Sequence, residues 1–324
     1  MEPRLDILFI GTALVDSILR GFDPKPVSAS GYLAASGSLN VGGEAVNGSM
    51  AAAKLGMKTG ILCSLGEDDA GELVLSALTR CGVDTGFVVR SAEHPTPVTT
   101  MFVHEDGGRK SVCNAAHRYN FHPERYADRI RSARAVVLGS LFRAPFDDPE
   151  IILSVLREAK RAGLLTFADT KLPNYRVLSL ADIRDALPLV DYITPNEDEA
   201  RYFTGREDPE EMADCLLDCG VGCAIIKLGG KGCLLKSRKR TRRLPAFPIR
   251  AVDATGAGDN FLAGFVAETL RGSAEEEALR FANACGAICA TAVGAATALK
   301  NREQVLAFLR EQDISYGEKN GTAE

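Results

Sequence analysis

The sequence predicts an α/β fold in which helices cover both faces of a mainly parallel sheet, and three observations support it. Short apolar, β-branched runs alternate with helix-period stretches along most of the chain; two hairpin-like segments break that alternation; and a glycine-rich turn stands where a run gives way to a helix. The alternation begins with a strand over residues 7–11 and a helix over 47–55, then repeats as 60–64 with 70–81 and 135–138 with 151–162. It continues as 165–168 with 178–186 and 192–194 with 198–203, and a strand over 223–228 is followed by a second strand-like piece over 247–252. The last helices are expected over 261–270 and, in a small-residue stretch, over 281–291. Such sheets bind ligands beyond the carboxyl ends of their strands, and the glycine-rich turn lies at such an end. The interruptions, residues 12–40 and 97–115 with a turn at Asp106-Gly107-Gly108, have the alternation of exposed hairpins. They form either a lid over a pocket or ordinary surface hairpins.

At 324 residues, 46% hydrophobic and 25% charged, the chain has the composition of an ordinary globular protein and the length for one large domain or two modest ones. A formal charge of -5 supplies no general attraction to nucleic acid or to an anionic membrane. No apolar run approaches the roughly 20 residues that span a bilayer, and the first strand-like stretch is too short for a signal-peptide core, so the expected address is cytoplasmic. Nine scattered cysteines, an odd number, do not make the framework of a small secreted domain and are expected to be reduced. Cys215, Cys219 and Cys223 recur every four residues, but Gly220 and Gly222 should end the helix before the third. Small core residues are favoured there over a metal site. His94, His104, His117 and His122 stand at no familiar ligand spacing. The basic run from Lys236 to Arg243 lies between two strand-like pieces and reads as a solvated turn rather than a nucleic-acid signal. From Tyr316 onward the chain is polar and aperiodic, which suggests one domain over 1–315 and a flexible tail over 316–324.

The turn itself reads Asp253-Ala254-Thr255-Gly256-Ala257-Gly258-Asp259. Gly256, Ala257 and Gly258 carry nothing larger than a methyl, so backbone can approach an anion closely, and the helix that follows opens with unpaired N–H groups. Phosphate oxygens would be stabilised there. Asp259 falls in the first helical turn, where the dipole favours a charged carboxylate, and is the natural candidate for a catalytic base.

This heptapeptide, and then most of the chain, resembles the ribokinase-like carbohydrate kinases, the PfkB family. The resemblance implies a three-layer ribokinase-like fold, makes the two hairpins its small β-sheet lid, and implies ATP and Mg2+. Gly42-Gly43-Glu44-Ala45-Val46-Asn47 suits sugar hydroxyls, because paired glycines admit a ligand and Asn47 both donates and accepts; Asn47 as a plain helix cap fits equally well. The family sets such a segment against the sugar, with an acidic residue beside it, here Asp16. Asn196 and Glu199 match the family's N-x-x-E, which helps hold magnesium through water; on spacing alone they are a capping box. Lys227, Gly229 and Gly232 resemble the segment beneath the nucleotide, with a hairpin turn as the plain alternative. Asn283 and Gly286 lie on the helix that passes the adenine in relatives, where small residues also serve helix packing. Asp253, Thr255 and the loop over 292–294 correspond to positions that bind a monovalent cation, which implies potassium stimulation. One departure is informative: where many relatives carry D-x-N-x-R, this chain reads Asp169-Thr170-Lys171-Leu172-Pro173-Asn174, and Lys171 could reach a phosphate or an acidic substrate group.

The expected reaction is transfer of the γ-phosphoryl group of ATP to a primary hydroxyl of a small sugar, with Asp259 as base and Gly256, Ala257 and Gly258 as the anion hole. A homodimer paired through the lids is the family's pattern. A nucleoside acceptor is the rival within kinases, and Phe102 or Tyr119 would be its stacking platforms, although the chain has no Trp and only 6% aromatics. A catalytically silent sugar or nucleotide sensor is a third reading, disfavoured by the presence of both Asp253 and Asp259. A dinucleotide-dependent oxidoreductase is disfavoured because the first strand ends in Gly11-Thr12-Ala13-Leu14, not G-x-G-x-x-G.

Overall fold

Strand β1 (Leu5–Ile10) is buried except at Asp6, and its side chains alternate between two separate cores. Ile7 and Phe9 join one cluster while Leu8 and Ile10 join the other, as period-two alternation in a doubly covered sheet requires. The computed structural model describes residues 4–21, 34–104, 108–114 and 121–320. Around β1, parallel pairing runs from β4 (Thr59–Leu62) through β9 (Ala133–Leu141), β10 (Leu165–Thr170) and β11 (Tyr192–Ile193) to β12 (Cys223–Lys227). Antiparallel β13 (Cys233–Ser237) and β14 (Arg240–Leu244) complete eight strands in the order β14, β13, β12, β11, β10, β9, β1, β4. The helices α1 (Glu44–Lys54), α2 (Asp69–Arg80), α7 (Ala257–Arg271), α8 (Glu275–Cys289) and α9 (Arg302–Asn320) share the first core. On the other face lie α3 (Ala127–Ile130), α4 (Pro149–Arg161), α5 (Glu197–Thr204) and α6 (Pro209–Asp218).

A second sheet stands apart, with β2 (Leu14–Arg20) and β7 (Val98–Val103) parallel at its centre and β3 (Ser36–Gly42) and β8 (Arg109–Cys113) antiparallel at its edges. It is the lid, and β5 (Ser64–Gly66) with β6 (Val89–Ser91) makes a small pair beside it. Asp106 and Gly107 of the expected turn, His117, Tyr119 and residues 22–33 of the first hairpin lie outside the described residues.

Several elements differ from the sequence reading. The first helix starts at Glu44, not Asn47, because Gly43 caps it at φ 99 with a would-be Cβ only 2.2 Å from the Thr12 carbonyl oxygen. Asn47 is therefore a first-turn residue rather than the cap. Residues 178–186 hold no α-helix but a 3-10 turn at Leu180–Ile183, followed by another at Leu187–Leu189, where Pro188 lacks the N–H a helix needs. Residues 247–252 form no strand; Pro245 and Pro248 flank the exit from β14 and remove ladder donors. The second strand-like piece is the basic run itself: its ends belong to β13 and β14, and only Arg238 and Lys239 turn. The helix expected over 281–291 begins earlier, at Glu275, with Glu275, Glu276 and Glu277 in its first turn. The boundary expected at 315 falls inside α9. Cys219 caps α6 and Cys223 opens β12, so those cysteines share no helix face, and none of the nine cysteines forms a disulfide among the described residues.

Candidate active site

Gly256 caps α7 in the left-handed region, at φ 77, where a Cβ would lie 2.3 Å from that of Ala295. Only glycine fits, and the turn it makes opens the helix toward the carboxyl edge of the sheet. Ala257 gives its N–H to the Ala254 carbonyl at 3.1 Å, which removes it from the expected anion hole. The N–H groups of Gly258 and Asp259 have no acceptor among the described residues and remain for an anion.

Asp259 is half-buried in this first turn and accepts a 2.8 Å hydrogen bond from Asn47 Nδ2. Burial, aided by Glu44 and Asp169 and opposed by Lys171 and Asn47, pushes its pKa up to about 6. The helix dipole alone suggested an ordinary ionised carboxylate; desolvation outweighs it. At neutral pH the group is still mostly ionised and is a stronger base than a surface aspartate. Asn47 itself is buried, and its Oδ1 has no partner among the described residues, so a bound hydroxyl would satisfy an otherwise orphaned acceptor.

Asp16, on β2 opposite Asn40 of β3 and Thr99 of β7, is likewise raised to about 6, by burial and then by Glu44. A Cβ on Gly42 would come within 2.4 Å of Asp16 Oδ2, so this glycine lets backbone lie against the carboxylate. Leu14, Thr99 and Ser111 of the lid, with Glu44 and Arg143 of the body, line a cleft of about 260 Å³ beside these residues.

A second, more apolar pocket of about 440 Å³ opens on the other side of the α7 mouth. It brings together Lys227, Gly229, Gly232, Asn283 and Gly286 with Ala257 and Gly258, whereas Asn196 and Thr255 are not on its lining. Phe247, Pro248, Ile249 and Phe261 supply apolar wall that the sequence reading missed; the proline-spaced apolar run was the signal, taken for a strand. Gly286 also lets α8 approach α7, since a Cβ there would sit 3.2 Å from the Ala257 carbonyl oxygen, and Asn283 Nδ2 donates to Pro245 O at 2.7 Å.

Between the two pockets runs a charged row at the ends of β10 to β12. Lys227 Nζ bonds Asp169 at 2.8 Å, and Asp169 also accepts from Thr194 at 3.0 Å. The partnership of Asp169 was not anticipated. Asn196 and Glu199 form the reciprocal capping box of α5, at 2.9 and 3.0 Å, and Glu199 Oε2 also accepts from Thr170 at 2.9 Å. Burial and then Asp169 raise the Glu199 pKa, with Lys227 opposing. Its Oε1 makes no hydrogen bond among the described residues, which fits a magnesium held through water. Burial alone would raise Asp253, but hydrogen bonds from Thr255 and from Gly294 N–H hold it below the ordinary range and pin the 292–294 loop beside the helix mouth.

An anion cradle, a base raised toward neutrality and an acceptor cleft under a β lid define a phosphotransferase that acts on an alcohol. The description "pfkB family carbohydrate kinase" matches residues 5–302, and the chain belongs to that family as a sugar kinase. It is 29% identical over 276 residues to a ribokinase of Haemophilus influenzae, covering 83% of this chain and 87% of that protein. Against an ATP-dependent ribose-1-phosphate kinase of Halopiger xanaduensis the identity is 33% over 272 residues, with 84% and 87% covered. The structure of Arabidopsis thaliana ribokinase complexed with ribose and ATP superimposes with a TM-score of 0.83 at 27% identity, covering 96% of this chain and 99% of that one. No helix among the described residues is long and apolar enough to cross a membrane.

Proposed function

We propose that the protein transfers the γ-phosphoryl group of ATP to a primary hydroxyl of a small sugar, ribose-, fructose- or sugar-acid-like. One observation carries this reading: the 2.8 Å bond from Asn47 to Asp259 ties the helix that begins on the acceptor side to the helix that begins on the donor side. The acceptor oxygen bonds phosphorus as the bond to the departing diphosphate oxygen breaks, and Asp259 takes the hydroxyl proton. Backbone at Gly256, Gly258 and Asp259 stabilises the charge. Asp16, Asn47 and the backbone of Gly42 and Gly43 orient the acceptor. The pocket of Lys227, Gly229, Gly232, Asn283 and Gly286 takes the nucleotide, with Asn196 and Thr255 at its margin. Glu199 would hold Mg2+ through water, and the bound ion would supply positive charge to the phosphate oxygens. The pinning of Thr255 and Gly294 by Asp253 supports a potassium site there, and the family pattern supports a cytoplasmic homodimer. The relative crystallised with ribose and ATP supports both ligands.

The test is coupled-assay detection of ADP release across ketoses, pentoses, sugar acids and nucleosides, with and without Mg2+ and K+. Turnover of a sugar or sugar acid that requires Mg2+ and rises with K+ is expected. Turnover of nucleosides alone would change the acceptor class, and no acceptor-dependent ADP release from the whole panel would overturn the reading.

A further inference from the structure

Lys171 follows directly on β10, and its N–H extends the sheet by donating to the Leu141 carbonyl at 3.0 Å. Strand alternation gives its side chain the same face as Phe167 and Asp169, the face that carries α1 and α7. Asp169 holds Lys227, whose ammonium lies against Gly258, 3.1 Å from where a Cβ would be, at the mouth of α7. Two residues further along the strand is roughly 6–7 Å further out from the sheet. There Lys171 comes under the influence of Glu44, at the start of α1, and of Asp259, in the first turn of α7. Burial alone would favour the neutral amine, but Glu44, Asp259, Asp169 and Glu199 outweigh it and keep the group protonated. Even so, among the described residues its ammonium makes neither an ion pair nor a hydrogen bond.

A buried-side ammonium with three donors and no partner, surrounded by carboxylates too distant to bond it, is prepared for an anion that arrives with a ligand. Two sources of that anion are conceivable. The carboxylate of a sugar acid would be repelled by Asp16 and Glu44 and so would seat away from them and from Lys171, which lies under the influence of Glu44. A phosphoryl group delivered past Gly258 brings its own charged oxygens into the space between Lys227, Lys171 and Asp259, and needs a cation there. We infer that Lys171 donates hydrogen bonds to the transferring phosphoryl group and is a catalytic residue of this chain. The inference rests on the ATP-dependent reading above. Lys171 neither gains nor loses a proton: the acceptor oxygen joins phosphorus, the electron pair of the broken bond leaves on the diphosphate, and the hydroxyl proton goes to Asp259.

The experiment compares Lys171→Met and Lys171→Arg with the parent in calorimetric titrations with ADP and with a non-hydrolysable β,γ-imido ATP analogue, with magnesium and without acceptor. The Met variant should bind ADP within about twofold of the parent, bind the triphosphate about tenfold or more weakly, and lose about 10²-fold in kcat, the usual cost of removing one donor from such a site. The Arg variant, which keeps the charge, should recover part of both losses and reads the same comparison if the Met variant does not fold. Equal losses for the two nucleotides, or an unchanged triphosphate affinity, would overturn the assignment. Because these titrations need no acceptor, a parent that binds both nucleotides yet turns over no sugar would count against the proposed reaction and not against Lys171.

Discussion

The β13–β14 hairpin and the rim of the active site are both crowded with charge, and they use it in opposite ways. In the hairpin four of the six cations between Lys236 and Arg243 meet an acid: Lys236 with Asp214 at 2.7 Å, Arg238 with Asp218 at 2.9 Å, Arg240 with Glu275 at 2.6 Å and Arg242 with Glu276 at 3.3 Å. These pairs are largely solvated, so they add little stability and leave no strong local field. At the rim, Glu44, Asp169, Glu199 and Asp259 converge from four separate segments on two lysines, Asp16 lies under the influence of Glu44, and Asp16 and Asp259 have pKa values pushed to about 6. Charge that is dense along the chain is neutralised in space, whereas charge that is dispersed along the chain is concentrated.

Asp259→Asn tests that contrast with the largest expected effect: kcat should fall by roughly 10²-fold or more while nucleotide affinity changes little. Comparable turnover in variant and parent would remove Asp259 from the mechanism. The same variant should be more stable at neutral pH. A carboxylate whose folded pKa is raised from 3.8 to about 6 destabilises the fold increasingly as pH rises through that interval and fully above about pH 6, and the cost disappears below 3.8, where both states are protonated. Denaturant titration at pH 7 should therefore show the Asn variant more stable by roughly 1–3 kcal/mol, and the difference should shrink as pH falls through about 6 to 4 and vanish by about pH 3.

Next in size is Gly43→Ala, which sets a Cβ 2.2 Å from the Thr12 carbonyl oxygen at φ 99 and should cost about 1–3 kcal/mol of stability together with a higher acceptor KM. An unchanged melting temperature would show that the lid-to-α1 joint relaxes freely. A smaller effect is expected in the pH profile. In the parent, kcat/KM should rise with pH through about 6 as the base loses its proton. Because the Asn47 hydrogen bond lowers that pKa, Asn47→Ala should move the rise to higher pH; a shift to lower pH would contradict the arrangement. Arg240→Gln, in the hairpin, should change neither kcat nor the pH profile, and should shift the melting temperature less than any other variant.

The same contrast explains what was legible in the sequence. Doubly buried strands advertise themselves as apolar runs, so β1, β9, β10 and β12 were readable, and the small residues of the α7 mouth were readable because backbone must come close to an anion there. The basic run was misread in extent because its charged residues fall on the half-buried and exposed parts of β13 and β14, where no alternation with buried apolar residues marks a strand. Residues 247–252 looked like a strand because apolar content reports burial and not its geometry; here the burial is against a pocket. The raised pKa of Asp259 comes first from burial and then from Glu44 and Asp169, with Lys171 opposing; these residues lie far from it in the chain, and no local rule about helix ends contains them. Lys171 stood out in sequence only as a departure from a pattern, and its lack of a partner emerged only from the packing.

Strand β3 ends at Gly42 and helix α1 begins at Glu44, so the flap over the acceptor and the helix that grips Asp259 are separated by one glycine. The cover and the proton acceptor are thus parts of one lever with a single-residue fulcrum. On the proposed reading, any acceptor contact that displaced β3 would be felt at Asp259 through Gly43, α1 and the Asn47 hydrogen bond.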